Sequence, residues 1–205
     1  MKRIYLVVIL CILSVSASAW SFEGLSISEG TEIDNYVVYM SIYGNIHRGD
    51  VHSMYNDLLY LRKHTEFRKV RLFLCSSGGD SFYGISLADQ IEAAQKEGFH
   101  FTVYATGIIA SAALPILAVC DYRIATRGCQ FLIHEACLVR EGTVKDKASE
   151  IRAQSASMEL LKKEYLRKMA KNTTLTATEW GGMMTRSTWL TSSQALAIRL
   201  INVMQ

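Results

Sequence analysis

An α/β domain built on parallel strands is the fold class this sequence predicts, and three observations carry it. Short β-branched and aromatic runs alternate with stretches of helical periodicity, glycines close the strands, and the apolar content, 50% of 205 residues, suffices for one buried core. With one Pro and 13 Gly, the chain is neither a Pro-rich linker nor a collagen-like repeat.

The elements follow in order. Tyr36 to Ile42 reads as a strand, Gly44-Asn45 as a turn, and Val51, Met54, Leu58 and Leu61 as one face of a helix. Val70 to Cys75 is the next strand, closed by a Ser76-Ser77-Gly78-Gly79-Asp80 turn, with Ile85, Ala88, Ile91 and Ala94 marking the helix after it. Phe101 to Ala105 leads through Gly107 into a small-residue helix near Ser111 to Val119. This β-α order implies parallel strands joined by right-handed crossovers. Two short strands, Tyr122 to Ala125 and Gln130 to Ile133, precede an extended excursion over Ala136 to Val144. A long helix from about Lys145 to Lys171 carries the apolar stripe Ile151, Met158, Leu161, Tyr165 and Met169. Glu159/Lys163 and Glu164/Lys168 form i,i+4 pairs on its outside. One narrow stripe on so long a helix predicts that it projects from the globule and serves oligomerisation. A short helix, Ser192 to Arg199, and a last strand end the chain.

Residues 1–19 read as an address. Lys2-Arg3, the apolar run Ile4 to Leu13 and the small-residue end Ser14 to Ala19 have the layout of a secretory signal peptide, with cleavage after Ala19. The apolar run is shorter than the ~20 residues of a membrane span. Export to the periplasm or the exterior is therefore expected, with residues 20–35 as an amino-terminal segment and 36–205 as the domain. Removing Lys2 and Arg3 from the formal charge of +3 leaves 20 basic against 19 acidic residues, and no basic cluster with interleaved aromatics argues for nucleic acid. Of the five cysteines, Cys75, Cys120, Cys129 and Cys137 would remain. Cys120 and Cys129 flank a short turn and are the pair to consider for a disulfide; buried free thiols are the alternative. No His/Cys spacing suggests a metal, and no cofactor motif is present.

The chemistry-bearing feature is Gly107-Ile108-Ile109-Ala110-Ser111-Ala112-Ala113, a serine where a strand turns into a helix. Backbone N–H groups at a helix start are unpaired and can hold an oxyanion, whereas a serine there can also be a simple cap. Two companions favour chemistry. Gly78-Gly79 allows close approach of backbone, and His134 stands where the strand Phe131-Leu132-Ile133 leaves the sheet, the region in which α/β crevices form.

The series Val38 to Ile46, Leu74 to Gly79, Gly107 to Ala113 and Phe131 to His134 resembles the proteolytic subunit of the Clp protease over residues 36–205. The resemblance implies the β-β-α superhelical spiral of the Clp/crotonase superfamily, with the long helix joining rings of subunits in a homo-oligomer. It implies Ser111 as nucleophile, His134 as general base, and Gly79 and Ala112 as the oxyanion N–H donors. The third triad position, an Asp in the family, is Ser187 here, within Thr185 to Thr191. Ser187, Asp80 or Glu135 would then orient His134. Ser77 replaces the family's Pro, and the Met-Gly after the nucleophile is absent. Cys120 to Thr126 looks like the crotonase branch, whose members bind acyl-CoA. Three functions follow as expectations: an exported serine peptidase acting on peptides or loosely folded protein without a Clp ATPase; an inactive binding or assembly protein of the same fold; and an acyl-thioester enzyme.

Overall fold

A computed structural model of the chain describes residue 28 and residues 31–64, 66–137 and 147–205. The expected signal peptide and the greater part of the 136–144 excursion lie outside the described residues.

The architecture is α/β, as predicted. A short strand β1 (Glu32–Asp34) runs antiparallel to β2 (Val37–Ile46), and β2, β3 (Lys69–Gly79) and β4 (His100–Ala110) pair in parallel. Their crossovers are the helices α1 (Arg48–Lys63) and α2 (Ser81–Lys96). β4 then serves two neighbours in succession. Thr102–Ala105 pairs with β5 (Tyr122–Ala125), while Ile108–Ala110 pairs with β6 (Gln130–Ile133). Gly107, at φ +61, sits where the sheet divides, and a Cβ there would lie 3.1 Å from Cys75 Sγ. The short helix α3 (Ala113–Val119) follows β4 directly, and the long helix α4 (Ala148–Asn172) packs on it. After α5 (Ala177–Thr185), β7 (Thr188–Thr191) returns antiparallel to β6, and α6 (Ser192–Ala197) leads to β8 (Val203–Met204) beside β5.

Burial explains the element choice. In β2, Val38, Met40 and Ile42 alternate inward, and in β3 Val70, Leu72 and Leu74 do the same, while α3 is buried on all seven positions. Several expectations need correction. β3 runs on through the Ser-Ser-Gly-Gly stretch that reads as a turn, because Asn45 and Ile46 of β2 extend to pair with Gly78 and Gly79. β1, α5 and β7 are additional to the expected elements. The Cys120–Cys129 disulfide is not formed: Cys120 donates to Ile116 O at 3.3 Å, and Cys75, Cys120, Cys129 and Cys137 are all free thiols. Burial pushes the Cys129 thiol up to about 12, where it stays protonated.

Two buried cations tie the layers together. Arg123 on β5 is 8% exposed and places its five donors on five carbonyls. Nε reaches Leu200 O (3.0 Å), Nη1 reaches Ala118 O (3.2 Å) and Cys120 O (2.9 Å), and Nη2 reaches Asn172 O (3.2 Å) and Arg199 O (3.0 Å). Lys168, expected on the outside of α4, is fully buried instead. Its ammonium bonds Asp89 Oδ1 at 2.6 Å and Glu92 Oε2 on α2, so the carboxyl-terminal half of α4 is strapped to the body. The amino-terminal half projects, with Ile151 50% and Leu160 70% exposed.

Burial alone would raise the Glu92 carboxyl, but hydrogen bonds from Lys168 and Lys171 outweigh it and hold the group at about 2. The folded chain thus binds fewer protons than the unfolded one between pH 4.5 and 2. The stability that Glu92 contributes is complete above about pH 4.5 and lost as pH falls toward 2. In urea titrations, Glu92→Gln is expected to be less stable than the unaltered chain at pH 7, with the difference shrinking across that window.

Candidate active site

Ser111 lies between β4 and α3 with φ +54, a left-handed backbone that costs a non-glycine residue about 1–3 kcal/mol. The turn is fixed from three sides. Ser111 N–H donates to Leu132 O of β6 at 3.0 Å. Gly78 of β3 abuts the serine so closely that a Cβ there would be 2.6 Å from Ser111 Cβ and 3.0 Å from Ala110 O. Gly84 on α2 presses on the next residue, where a Cβ would be 2.8 Å from Ala112 Cβ. Only glycine tolerates either approach.

The capping explanation for Ser111 does not hold. The N-cap of α3 is Ala112, with no side-chain cap, and the Ser111 hydroxyl makes no hydrogen bond among the described residues. It faces a cleft of about 170 Å³ shared with Ala112, His134, Glu135 and Lys162. Ile85, Pro115, Met158, Leu161 and Met184 make the cleft wall apolar.

His134 leaves β6 into this cleft, and its Nδ1 lies 2.8 Å from the main-chain carbonyl of Glu135. A carbonyl only accepts, so Nδ1 carries a proton, and in the neutral ring the lone pair is then on Nε2. The three groups expected to orient the ring do so with none of their side chains. Asp80 Oδ1 caps α2 by accepting from Phe82 N–H (2.8 Å) and Tyr83 N–H (3.4 Å). The Glu135 carboxylate pairs with Lys162 at 2.7 Å. Ser187, at φ +50, is exposed and directly precedes Thr188, whose pairing with Ile133 is the end of the β6–β7 ladder; its hydroxyl makes no hydrogen bond to the ring.

The oxyanion donors differ in how they are presented. Ala112 lines the cleft, and no main-chain acceptor takes its N–H among the described residues. Gly79 is not part of the lining. On β3 the Gly78 N–H is consumed by Ser76 Oγ (3.1 Å), and Asp80 N–H by Ile46 O (3.1 Å). Strand alternation therefore turns the Gly79 N–H away from β2, toward the β4 side. Gly78, the other member of the expected close-approach pair, is the glycine that touches the serine.

Within Cys120 to Thr126, the side chains of Asp121 and Arg123 bond to main chain. Asp121 Oδ2 accepts from Phe101 N–H at 2.8 Å, and Arg123 spends its donors on carbonyls. Among the described residues there is no group of three or more metal-ligating side chains, and no helix long and apolar enough to cross a membrane.

A serine on a strained strand-to-helix turn, a glycine packed against it and a histidine just past the end of the adjacent strand share one cleft edge of an α/β fold. A family model described as Clp protease matches residues 35–205, and the chain belongs to that family. A point mutant of ClpP1 from Listeria monocytogenes is similar in fold, with a TM-score of 0.68, 20% identity, and coverage of 82% of this chain and 90% of that one. No curated protein matches the chain. Membership brings a protease-class activity on peptides within an oligomeric assembly at the level of the family.

Two substitutions test this geometry. Gly78→Ala combines a φ of +102 with the contact on Ser111, and should destabilise by about 2 kcal/mol or more while removing any reactivity of the serine. Tyr165, 8% exposed, keeps its hydroxyl buried without a partner, so Tyr165→Phe should raise stability by about 1 kcal/mol. Thermal melts of both variants check the two signs.

Proposed function

We propose that the protein is an exported serine peptidase that works on peptides or loosely folded protein without an ATP-driven partner. The observation that carries the reading is the Ser111 hydroxyl: strained in backbone, unused as a cap and open to the cleft that His134 lines.

Ser111 Oγ attacks the scissile carbonyl while His134 Nε2 takes its proton, forming a tetrahedral intermediate. The Ala112 N–H, with Gly79 as second donor, stabilises the oxyanion; one such donor is worth roughly 3–4 kcal/mol. His134 then gives the proton to the leaving amine, and water repeats the sequence to release the acyl group. The apolar wall of Ile85, Pro115, Met158, Leu161 and Met184 favours an apolar side chain next to the cleaved bond. The Nδ1–H bond to the Glu135 carbonyl holds the ring in the required tautomer. It supplies a dipole and not a charge, so the imidazolium gains less than from a carboxylate, and turnover is expected to be slow. Export rests on Lys2-Arg3, the apolar run after it and the small residues up to Ala19, and it removes the protein from ATP-dependent unfoldases.

A fluorophosphonate probe should label the purified protein at one site and leave Ser111→Ala unlabelled. Labelling that persists in Ser111→Ala would sink the nucleophile assignment.

A further inference from the structure

We propose that Lys162 is a positioning residue for the reaction: by holding the Glu135 side chain, it fixes the Glu135 carbonyl on His134 Nδ1 and so does the work of the missing third carboxylate. The inference rests on the serine-peptidase reading and names how its base is oriented.

Residues 134–137 have no regular secondary structure, and among the described residues only two hydrogen bonds hold them. One is His134 Nδ1 to the Glu135 carbonyl at 2.8 Å, and the other is Lys162 Nζ to Glu135 Oε1 at 2.7 Å. The first is local, between neighbours, and cannot by itself fix the segment relative to the cleft. The second ties it to α4, an element whose far end is anchored through buried Lys168. Lys162 stands four residues from Met158 and three from Tyr165, on the helix face that lines the cleft. Glu159, one turn away on that face, adds to the field that keeps the ammonium charged.

Exposure separates this role from a structural one. The Lys162 and Glu135 side chains are 33% and 51% exposed, and such a pair contributes about 0–1 kcal/mol to global stability. Its effect is local: with the carboxylate held, rotation about the Glu135 backbone is restricted, and the carbonyl stays aimed at the ring. Release of the pair lets the carbonyl turn to solvent and the ring lose its Nδ1–H tautomer. Ser187, next to the Thr188 that pairs with Ile133, supplies an internal control, since an Asp there is expected to accept from His134 Nδ1–H in place of the carbonyl.

The test uses the full chain and two readouts. In peptide hydrolysis, Lys162→Met should lower kcat about tenfold with KM within twofold, Glu135→Gln should behave alike, and Lys162→Arg should restore most of the rate. In a Ser187→Asp background the Lys162→Met loss should shrink to within twofold. Nitrogen-15 NMR of histidine-labelled Ser111→Ala protein, with His134 assigned by difference against His134→Gln, should show the Nδ1–H tautomer and its loss on adding Lys162→Met. An unchanged tautomer in that variant, or an equal kcat loss with and without Ser187→Asp, overturns the proposal. A chain that never cleaves peptide overturns the peptidase reading instead, and the NMR arm still decides the role of Lys162.

Discussion

The five carbonyls around Arg123 are the junction on which the structure depends. They belong to the end of α3, the end of α4 and the turn between α6 and β8, three segments far apart in sequence. A buried guanidinium is costly to desolvate, and here every donor is satisfied by a carbonyl at or just beyond the end of a helix. Without it, those ends would be buried and unpaired together. Since α3 begins two residues after Ser111 and α4 carries Lys162, the same junction sets the depth of the cleft.

The cleft is built from rigid parts on one side and a short irregular segment on the other. Ser111 and Ala112 are pressed between β3, β6 and α2, with no freedom to adjust. His134 sits at the end of β6, where the ladder to β7 has stopped, and its orientation depends on main-chain geometry two bonds from a surface side chain. A carboxylate at the position of Ser187 would make the base independent of that segment. In the proposed mechanism its absence couples the orientation of the histidine to the position of a helix.

Much of this was legible in the sequence because it rests on local periodicity. The parallel β-α order, the strands Tyr122–Ala125 and Gln130–Ile133, and the strand-to-helix place of Ser111 follow from alternation and glycine punctuation. What was not legible depends on long-range pairing. β3 continues through Gly78 and Gly79 only because β2 is long enough to pair with them, and no local rule reveals a partner's length. Lys168 reads as a solvated helix residue until Asp89 and Glu92 arrive from α2, 76 and more residues earlier. The third triad position shows the same limit. Composition reveals that Ser187 is not an acid, but the carbonyl that replaces it belongs to a backbone that every residue shares.

The strained turn at Ser111 has a consequence in time. Its left-handed backbone is stable only when Gly78, 33 residues earlier, and Leu132, 21 residues later, are both docked against it. Both contacts join residues distant in sequence, and non-local contacts of this kind slow the folding of a domain. The geometry of the Ser111 turn is therefore complete only when β3, β4 and β6 are all in place.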